Sequence, residues 1–493
     1  MAYNLARNSR VFVTTNLNTA TGAVLTTGLS TTNTWEVQVL DGFKFAQATN
    51  SANIQIKEGG NTPIRGQRAF NTALNPVDIT FSTYMRPRLS GGLVTAEERV
   101  LWNALMGAVG IDGTVQNGTA VAGVTVTGTT LTALTRSSTT SSVVTMAGAT
   151  ITATGLALNE VVSITGMTGT GASYWNQPAK VTSIAAGAIV FTYITAPDAA
   201  AGTTSAGVPA SGQIILKRGA WVEYPTATGV PTSYAQLTSG TSNKNQMQPI
   251  GFIFIVDSTA YTVDNCAIDQ AQIDFGLDAI ATIAWTIKGT KLNQIAMPVL
   301  SATADPVFSG SLTGTATGKI TTANYITNKL STVSLQSNLG GIGGTVYAVV
   351  ITGGSMTIAN NVTYVTPANI GVLNTPIGYF TGTRAISGNV TAYLKSGSGS
   401  HTGTLLNDIL VSSATNTDTK YHMQIEVGGA TAGTRVELEM DGAMLGIPSV
   451  DIADVVSTSI TFTAQAAQSD IGAANAQYDI ENTNELLVRY YSL

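Results

Sequence analysis

The fold is decided by two stretches that say the same thing in different letters: Asn53 to Pro87, "NIQIKEGGNTPIRGQRAFNTALNPVDITFSTYMRP", and Met356 to Lys395, "MTIANNVTYVTPANIGVLNTPIGYFTGTRAISGNVTAYLK". Each is a short alternating strand, a long excursion punctuated by Gly, Pro and Asn, and a second alternating strand, with "VDITFSTYM" answered by "ISGNVTAYL". A helical patch follows each copy, "TAEERVLWNALMG" from Thr95 to Gly107 and "GTLLNDILVSS" from Gly403 to Ser413. Two further strands come next, "IGFIFIVD" from Ile250 and a segment ending at Ile287 in the first copy, "YHMQIEVG" from Tyr421 and a segment ending at Gln465 in the second. Two copies are too few for a solenoid or propeller, which need at least about three stacking units, so the pattern predicts a tandem duplication of one β-rich domain. Strands at Val11 and in "ANYITNKLSTVSLQ" from Ala323 take corresponding places at the start of each copy; "NELLVRYYSL" at the far end reads as a last strand or a short arm.

Composition fits that reading. The 493 residues leave room for roughly two to four domains, and 44% hydrophobic content supports a core in each. Charged residues make up only 10%, against roughly 25% in ordinary soluble domains. Thr, Ser, Ala and 51 Gly replace them, giving a polar, uncharged surface that suits strands and lateral packing. A net charge of −5 and the lack of a basic run argue against stable nucleic-acid binding, which depends on Lys and Arg neutralising phosphates. No signal-peptide core is read in "MAYNLARNSRVFVTT", and the run Ile250 to Val256 is too short to cross a bilayer, so the expectation is a protein made and kept in a cytoplasm, without a membrane. A single cysteine, Cys266, rules out an intrachain disulfide framework.

The domain boundaries follow from composition shifts. The first unit is expected over residues 1–114 and 211–294, interrupted at 115–210 by a Thr/Ser/Ala/Gly/Val-rich series of short strands that predicts an inserted immunoglobulin-like β-sandwich. A Pro/Gly/Ser/Thr linker occupies 295–319, and the second unit covers 320–493. The fold class is therefore mainly β: two tandem β-sandwich domains, each with a flanking helix, plus the insertion.

No catalytic constellation assembles. His401 and His422 read as solvated residues without clustered partners, and with one cysteine they make no zinc site; Cys266 reads as a small buried hydrophobe in an alternating strand. The Gly pairs match no phosphate-cradling motif and read as turns. Carboxylates gather at corresponding places, Asp264, Asp269, Asp274 and Asp278 in one copy and Glu437, Glu439, Asp441, Asp451 and Asp454 in the other. These could be an acid/base pair, a solvated strand face, or an acidic face turned inward by a ring of copies, the reading favoured here. The excursions Glu58 to Pro76 and Asn360 to Ser387 are long enough to suggest function, and their apolar residues would be better placed against a neighbouring subunit than in water, unless they fold back on their own sandwich.

Several ordered segments carry a family resemblance: "LARNSRVFV", "PIRGQRAFN", "ITFSTYMRP", "RVLWNALMG", "GGSMTIANNVTYVTP" and "TPIGYFTG". Together they resemble the major tail tube protein of bacteriophages with long non-contractile tails (siphophage type), in the subgroup where one polypeptide carries two fused tube domains. The resemblance implies a structural virion protein, not an enzyme, with no cofactor and no metal. Three chains would form a pseudo-hexameric ring, and stacked rings would form the conduit for double-stranded DNA. It further implies as partners other copies of the chain and the tape-measure, tail-terminator and tail-tip proteins, with location in the virion tail after assembly in the host cytoplasm. Carried onto this sequence, Arg65, Arg68 and Phe70 with Tyr364, Thr366 and Phe380 fall in ring-stacking loops, and Asp269, Asp274, Asp441 and Asp451 are lumen candidates. An acidic bore would let DNA slide where a basic one would hold it. The alternative from another class is a Thr-rich adhesin or carbohydrate-binding protein using Trp175 and Trp221 as stacking platforms; a hydrolase built on the Asp clusters is a third.

Overall fold

The computed structural model describes residues 9–54, 68–106, 250–297, 325–465 and 486–491, apart from short breaks inside those ranges, together with Met247 and several stretches between 124 and 222. The first unit contributes β1 (Ser9–Thr14), β2 (Thr34–Val37), β3 (Lys44–Ile54), β4 (Arg68–Tyr84), the hairpin β5 (Pro87–Ser90) and β6 (Leu93–Ala96), and helix α1 (Arg99–Met106). It resumes with β14 (Ala220–Val222), β15 (Ile250–Val256), β16 (Thr259–Asp274), β17 (Thr282–Gly289) and β18 (Lys291–Ile295). Between these parts, β7 (Val124–Thr127), β8 (Leu134–Arg136), β9 (Val143–Ala147), β10 (Val161–Thr165), β11 (Pro178–Ala185), β12 (Ala188–Tyr193) and β13 (Gln213–Arg218) make their own 7-stranded antiparallel sheet, in the order β7-β13-β10-β11-β12-β9-β8. The second unit comprises β19 (Thr332–Gln336), β20 (Val346–Val349), β21 (Ile351–Ala359), the hairpin β22 (Val362–Val365) and β23 (Gly378–Thr381), β24 (Ala385–Tyr393), helix α2 (Thr402–Thr415), β25 (Lys420–Val427), β26 (Arg435–Leu445), β27 (Ser449–Asp451), β28 (Ser457–Gln465) and β29 (Leu487–Tyr491).

The duplication is present in the pairing order of eight strands of each unit. In the first unit the pairing runs β2-β1-β15-β16-β17-β4-β3, with β18 on the first half of β16. In the second it runs β20-β19-β25-β26-β28-β24-β21, with β29 on the first half of β26. Even the irregularities match: the β15/β16 ladder shifts register between Ile250 and Phe252, and the β25/β26 ladder between Tyr421 and Met423. Carrying the registers through makes Trp35 the counterpart of Tyr347, both buried, Cys266 the counterpart of Ala443, and Asp274 the counterpart of Asp451.

Side-chain volumes are exchanged between the copies. Where Ile79 faces Ile287 in the first unit, Gly388 faces Phe462 in the second. A Cβ on Gly388 would lie 2.5 Å from Phe462 Cζ, so the ring occupies the space that the missing side chain leaves. One apolar core, from Val11 through Trp285 to Val488, runs through both units, and a smaller cluster of Phe12, Ile253, Ile255 and Ala260 lies on the other face of β1 and β15.

Several expectations change. The helix expected from Thr95 is shorter, because Leu93–Ala96 pairs as a strand and the helix starts at Arg99. The end of the first excursion is regular: β4 begins at Arg68 and pairs back on β3 as far as Ile54, with register shifts between Gln47 and Thr49 and between Asn50 and Ser51. His422 is buried in β25, not solvated. The chain terminus, left open between strand and arm, forms β29 between β26 and β14.

Candidate functional site

The two units meet edge to edge, and that joint is the most elaborated polar site among the described residues. The second half of β16 pairs antiparallel with β21, in the register Gln270↔Ala359, Ala271↔Ile358, Gln272↔Thr357, Ile273↔Met356 and Asp274↔Ser355. Alternation sends Ala271, Ile273, Met356 and Ile358 inward, all buried, and leaves Gln272 and Asp274 on the outer face. The β16/β17 ladder shifts register between Ile268 and Gln270, and Asp269 sits on that irregularity. A bulge re-aims its side chain, and the carboxylate accepts from the Val362 amide at 2.7 Å while pairing with Lys288 Nζ at 2.9 Å. Lys288 also donates to the Val362 carbonyl at 3.2 Å.

Around this pair the hairpin β22/β23 of the second unit is fastened to the first. Tyr364 donates its hydroxyl to the carbonyls of Asn265 and Lys288 at 2.7 and 2.8 Å, and Tyr379 donates to the Met247 carbonyl at 2.8 Å. Burial pushes the Tyr364 and Tyr379 phenols well above their ordinary range, since a phenolate there would lose its water. Buried Asn360 donates to the carbonyls of Leu105 and Ile268 at 2.8 and 3.1 Å, tying α1, β16 and the second unit together. The two excursions also touch: Ala73 bridges Asn374, and the Leu74 amide donates to the Asn374 carbonyl at 2.8 Å.

The residues picked out by sequence therefore scatter over different environments. Tyr364 and Thr366 are half-buried, the former on the first unit, whereas Phe70 and Phe380 are each 53% exposed. Arg65 lies outside the described residues, and Arg68 is described only as the first residue of β4. Asp269 is the anchor of the joint. Asp274 and Asp451 occupy the same place in the duplicated unit, and both are exposed. Asp441 is described by its backbone alone, at the place in β26 that Asp264 holds in β16; Asp264 itself is buried, accepting from the Val24 amide at 2.9 Å and the Asn293 side chain at 2.7 Å. Asp278 and Asp454 lie outside the described residues. Among the described residues no three His, Cys, Asp or Glu side chains gather as a metal set. Cys266 is fully buried, its thiol donating to the Val263 carbonyl, and burial raises its pKa. Trp175 is buried under the Arg136 guanidinium and against Tyr193, which leaves no open ring for a sugar to stack on.

What sequence reasoning missed is the joint: Asn360, Lys288 and the pairing of β16 with β21. Asp269 and Tyr364 were singled out in the sequence, but for other roles.

No protein-family model matches the chain. A comparison with characterised proteins finds tail tube protein pb6 of Escherichia phage T5, 25% identical over 505 aligned positions that cover 99% of this chain and 79% of the relative. The resemblance to phage tail tube proteins read from the sequence is borne out.

Proposed function

We propose that this chain is the structural subunit of a phage tail tube: it self-assembles into stacked rings, three chains to a ring with pseudo-sixfold symmetry, that conduct double-stranded DNA. The observation that carries this reading is the internal joint. Two equivalent units are already associated edge to edge by a heterologous contact, and such a contact, repeated, generates a ring if its rotation closes. Likeness to a tail tube protein along 99% of the chain supports the same conclusion.

The role is structural, not enzymatic, and its first partner is the chain itself, followed by the proteins that set tail length and close its two ends. Location in the virion tail, after assembly in the host cytoplasm, follows from the same reading. For the lumen, Asp274 and Asp451 are the best-supported candidates, because duplicated position and exposure agree; Asp269 serves the joint. The exposed apolar residues of the second excursion, Ile370, Leu373, Ile377 and Phe380, are where contacts to the next ring would bury surface worth about 25 cal/mol per Å². The inserted β-domain, which interrupts the first unit, would project from the tube wall.

Negative-stain microscopy of the purified chain over a range of concentrations tests the proposal. Rings or tubes with a stain-filled centre are expected; a protein that stays monomeric at every concentration would overturn it.

A further inference from the structure

The duplication leaves two strands without the partners that their counterparts have. In the second unit β21 is paired on both sides, by β24 and by β16; in the first unit its counterpart β3 is paired, among the described residues, by β4 alone. Conversely, the second half of β16 lies between β17 and β21, whereas its counterpart β27 is paired, among the described residues, by β28 alone. The two open edges are thus the same two edges that meet inside the chain.

We infer that β27 of one chain pairs antiparallel with β3 of a second copy, in the register that the internal joint dictates: Asp451↔Lys44, Val450↔Phe45 and Ser449↔Ala46. These pairs are the counterparts of Asp274↔Ser355, Ile273↔Met356 and Gln272↔Thr357. The inference rests on the ring reading above and gives it an address on the molecule.

Three features support this occupant. First, the register sets Asp451 directly opposite Lys44, both exposed, where the internal joint has Asp274 opposite Ser355; a charge pair replaces a polar one where the contact must form between separate molecules. Second, the apolar residues at the open edge are uncovered: Ile447, Val450 and Ile452 are 62%, 43% and 84% exposed, whereas Ile273, the counterpart of Val450, is fully buried by its partner strand. That apolar surface would leave water if a strand paired there. Third, the outer part of the β3/β4 hairpin, Thr49–Asn53 with Ala69–Asn71, is largely exposed, while the hairpin β22/β23 at the corresponding place is fastened across the joint by Tyr364 and Tyr379. The same transfer lays the β3/β4 arm across the second unit of the neighbour. Pro448 stands where Ala271 stands in β16 and removes one amide donor, which keeps β27 short.

The test is a cysteine pair in the full chain, Ala46→Cys with Ser449→Cys, oxidised under the conditions that give rings; native Cys266 is fully buried and does not compete. Opposed residues on neighbouring strands have Cβ atoms about 5 Å apart, within reach of a disulfide after small adjustment. Oxidation should convert most chains to covalent multimers, while Asn50→Cys with Ser449→Cys, displaced along the strand by roughly 13 Å, should not crosslink. Rings or tubes without crosslinking at 46/449 would overturn the register and leave the tube reading standing; crosslinked multimers without any ring or tube would do the reverse; neither would sink both. A second arm guards against a variant that fails to fold. Lys44→Glu should raise the concentration needed for rings, and Lys44→Glu with Asp451→Lys should lower it again; failure of that rescue also counts against the register.

Discussion

β15 and β25 hold the same place in the two units and are written in opposite styles, "IGFIFIV" and "KYHMQIEV". In β15 Phe252 and Phe254 face the main core while Ile253 and Ile255 face the second cluster, with Val24 and Leu29 packed against that cluster. The counterparts of Ile253 and Ile255 in β25 are Gln424 and Glu426, half-buried, with the amide of Gln424 donating to the carboxylate of Glu426 at 3.2 Å. A continuous apolar strand thus marks a unit covered on both faces, and an alternating one a unit covered on a single face. Two copies of one pairing scheme have diverged in what lies over them, not in how their strands connect.

The largest expected effect that sharpens this comparison is at the joint side of the core. Trp285 is buried, in edge contact with Trp102, and its indole donates to Thr83 at 2.9 Å; its counterpart in the second unit is Ile460. Trp285→Ala should cost about 3–5 kcal/mol and Ile460→Ala less, read as the two shifts in denaturant midpoint. Equal shifts would mean that the two halves of the core do not differ as described.

Next comes the contrast between the two sheet faces. Ile253→Ala should destabilise by about 2–4 kcal/mol, whereas Gln424→Ala should leave the melting temperature almost unchanged. A Gln424 variant as damaging as the Ile253 one would show that the face of β25 is covered after all.

At the joint, Asp269→Ala removes a charge-assisted hydrogen bond and an ion pair whose side chains are 31% and 17% exposed, at an expected cost of about 1.5–3 kcal/mol. Hydrogen exchange is the better readout, since the Val362 amide should lose protection while the Val390 amide, inside the second unit, keeps it. Loss at both would mean that the two units unfold as one.

The smallest effect is on pH dependence. Burial raises the phenol pKa values of Tyr347, Tyr364 and Tyr379 above the ordinary 10.0, and for Tyr347 the carboxylate of Asp408 adds to it. Unfolded tyrosine releases its proton near that ordinary value while the folded groups hold theirs. Their contribution is therefore complete below pH 10.0 and is lost as pH rises through the folded values. Melting temperature should fall above that pH, and Tyr364→Phe should flatten the fall.

Much of the architecture was legible because it is written locally. The alternation from Val11, around Cys266 and in "ISGNVTAYL" named the strands, and the repeated order of elements revealed the duplication. The candidate site was far less legible. Tyr364 and Asp269 were singled out for a loop tip and a bore, yet they are bonded to each other's neighbourhoods across the joint. Trp175 read as a stacking platform and is buried, and His422 read as solvated and is buried, because burial depends on what distant segments cover.

By itself the sequence determined a β-rich chain of two equivalent units with an insertion and a weakly charged composition; period, composition and order of elements suffice for that. Only the tertiary structure decided which edges are joined and which stand open. Sheet edges are recognised by backbone amides and carbonyls that every residue carries, so nothing in the side chains of β3 or β27 announces that their counterparts β21 and β16 are already paired to each other.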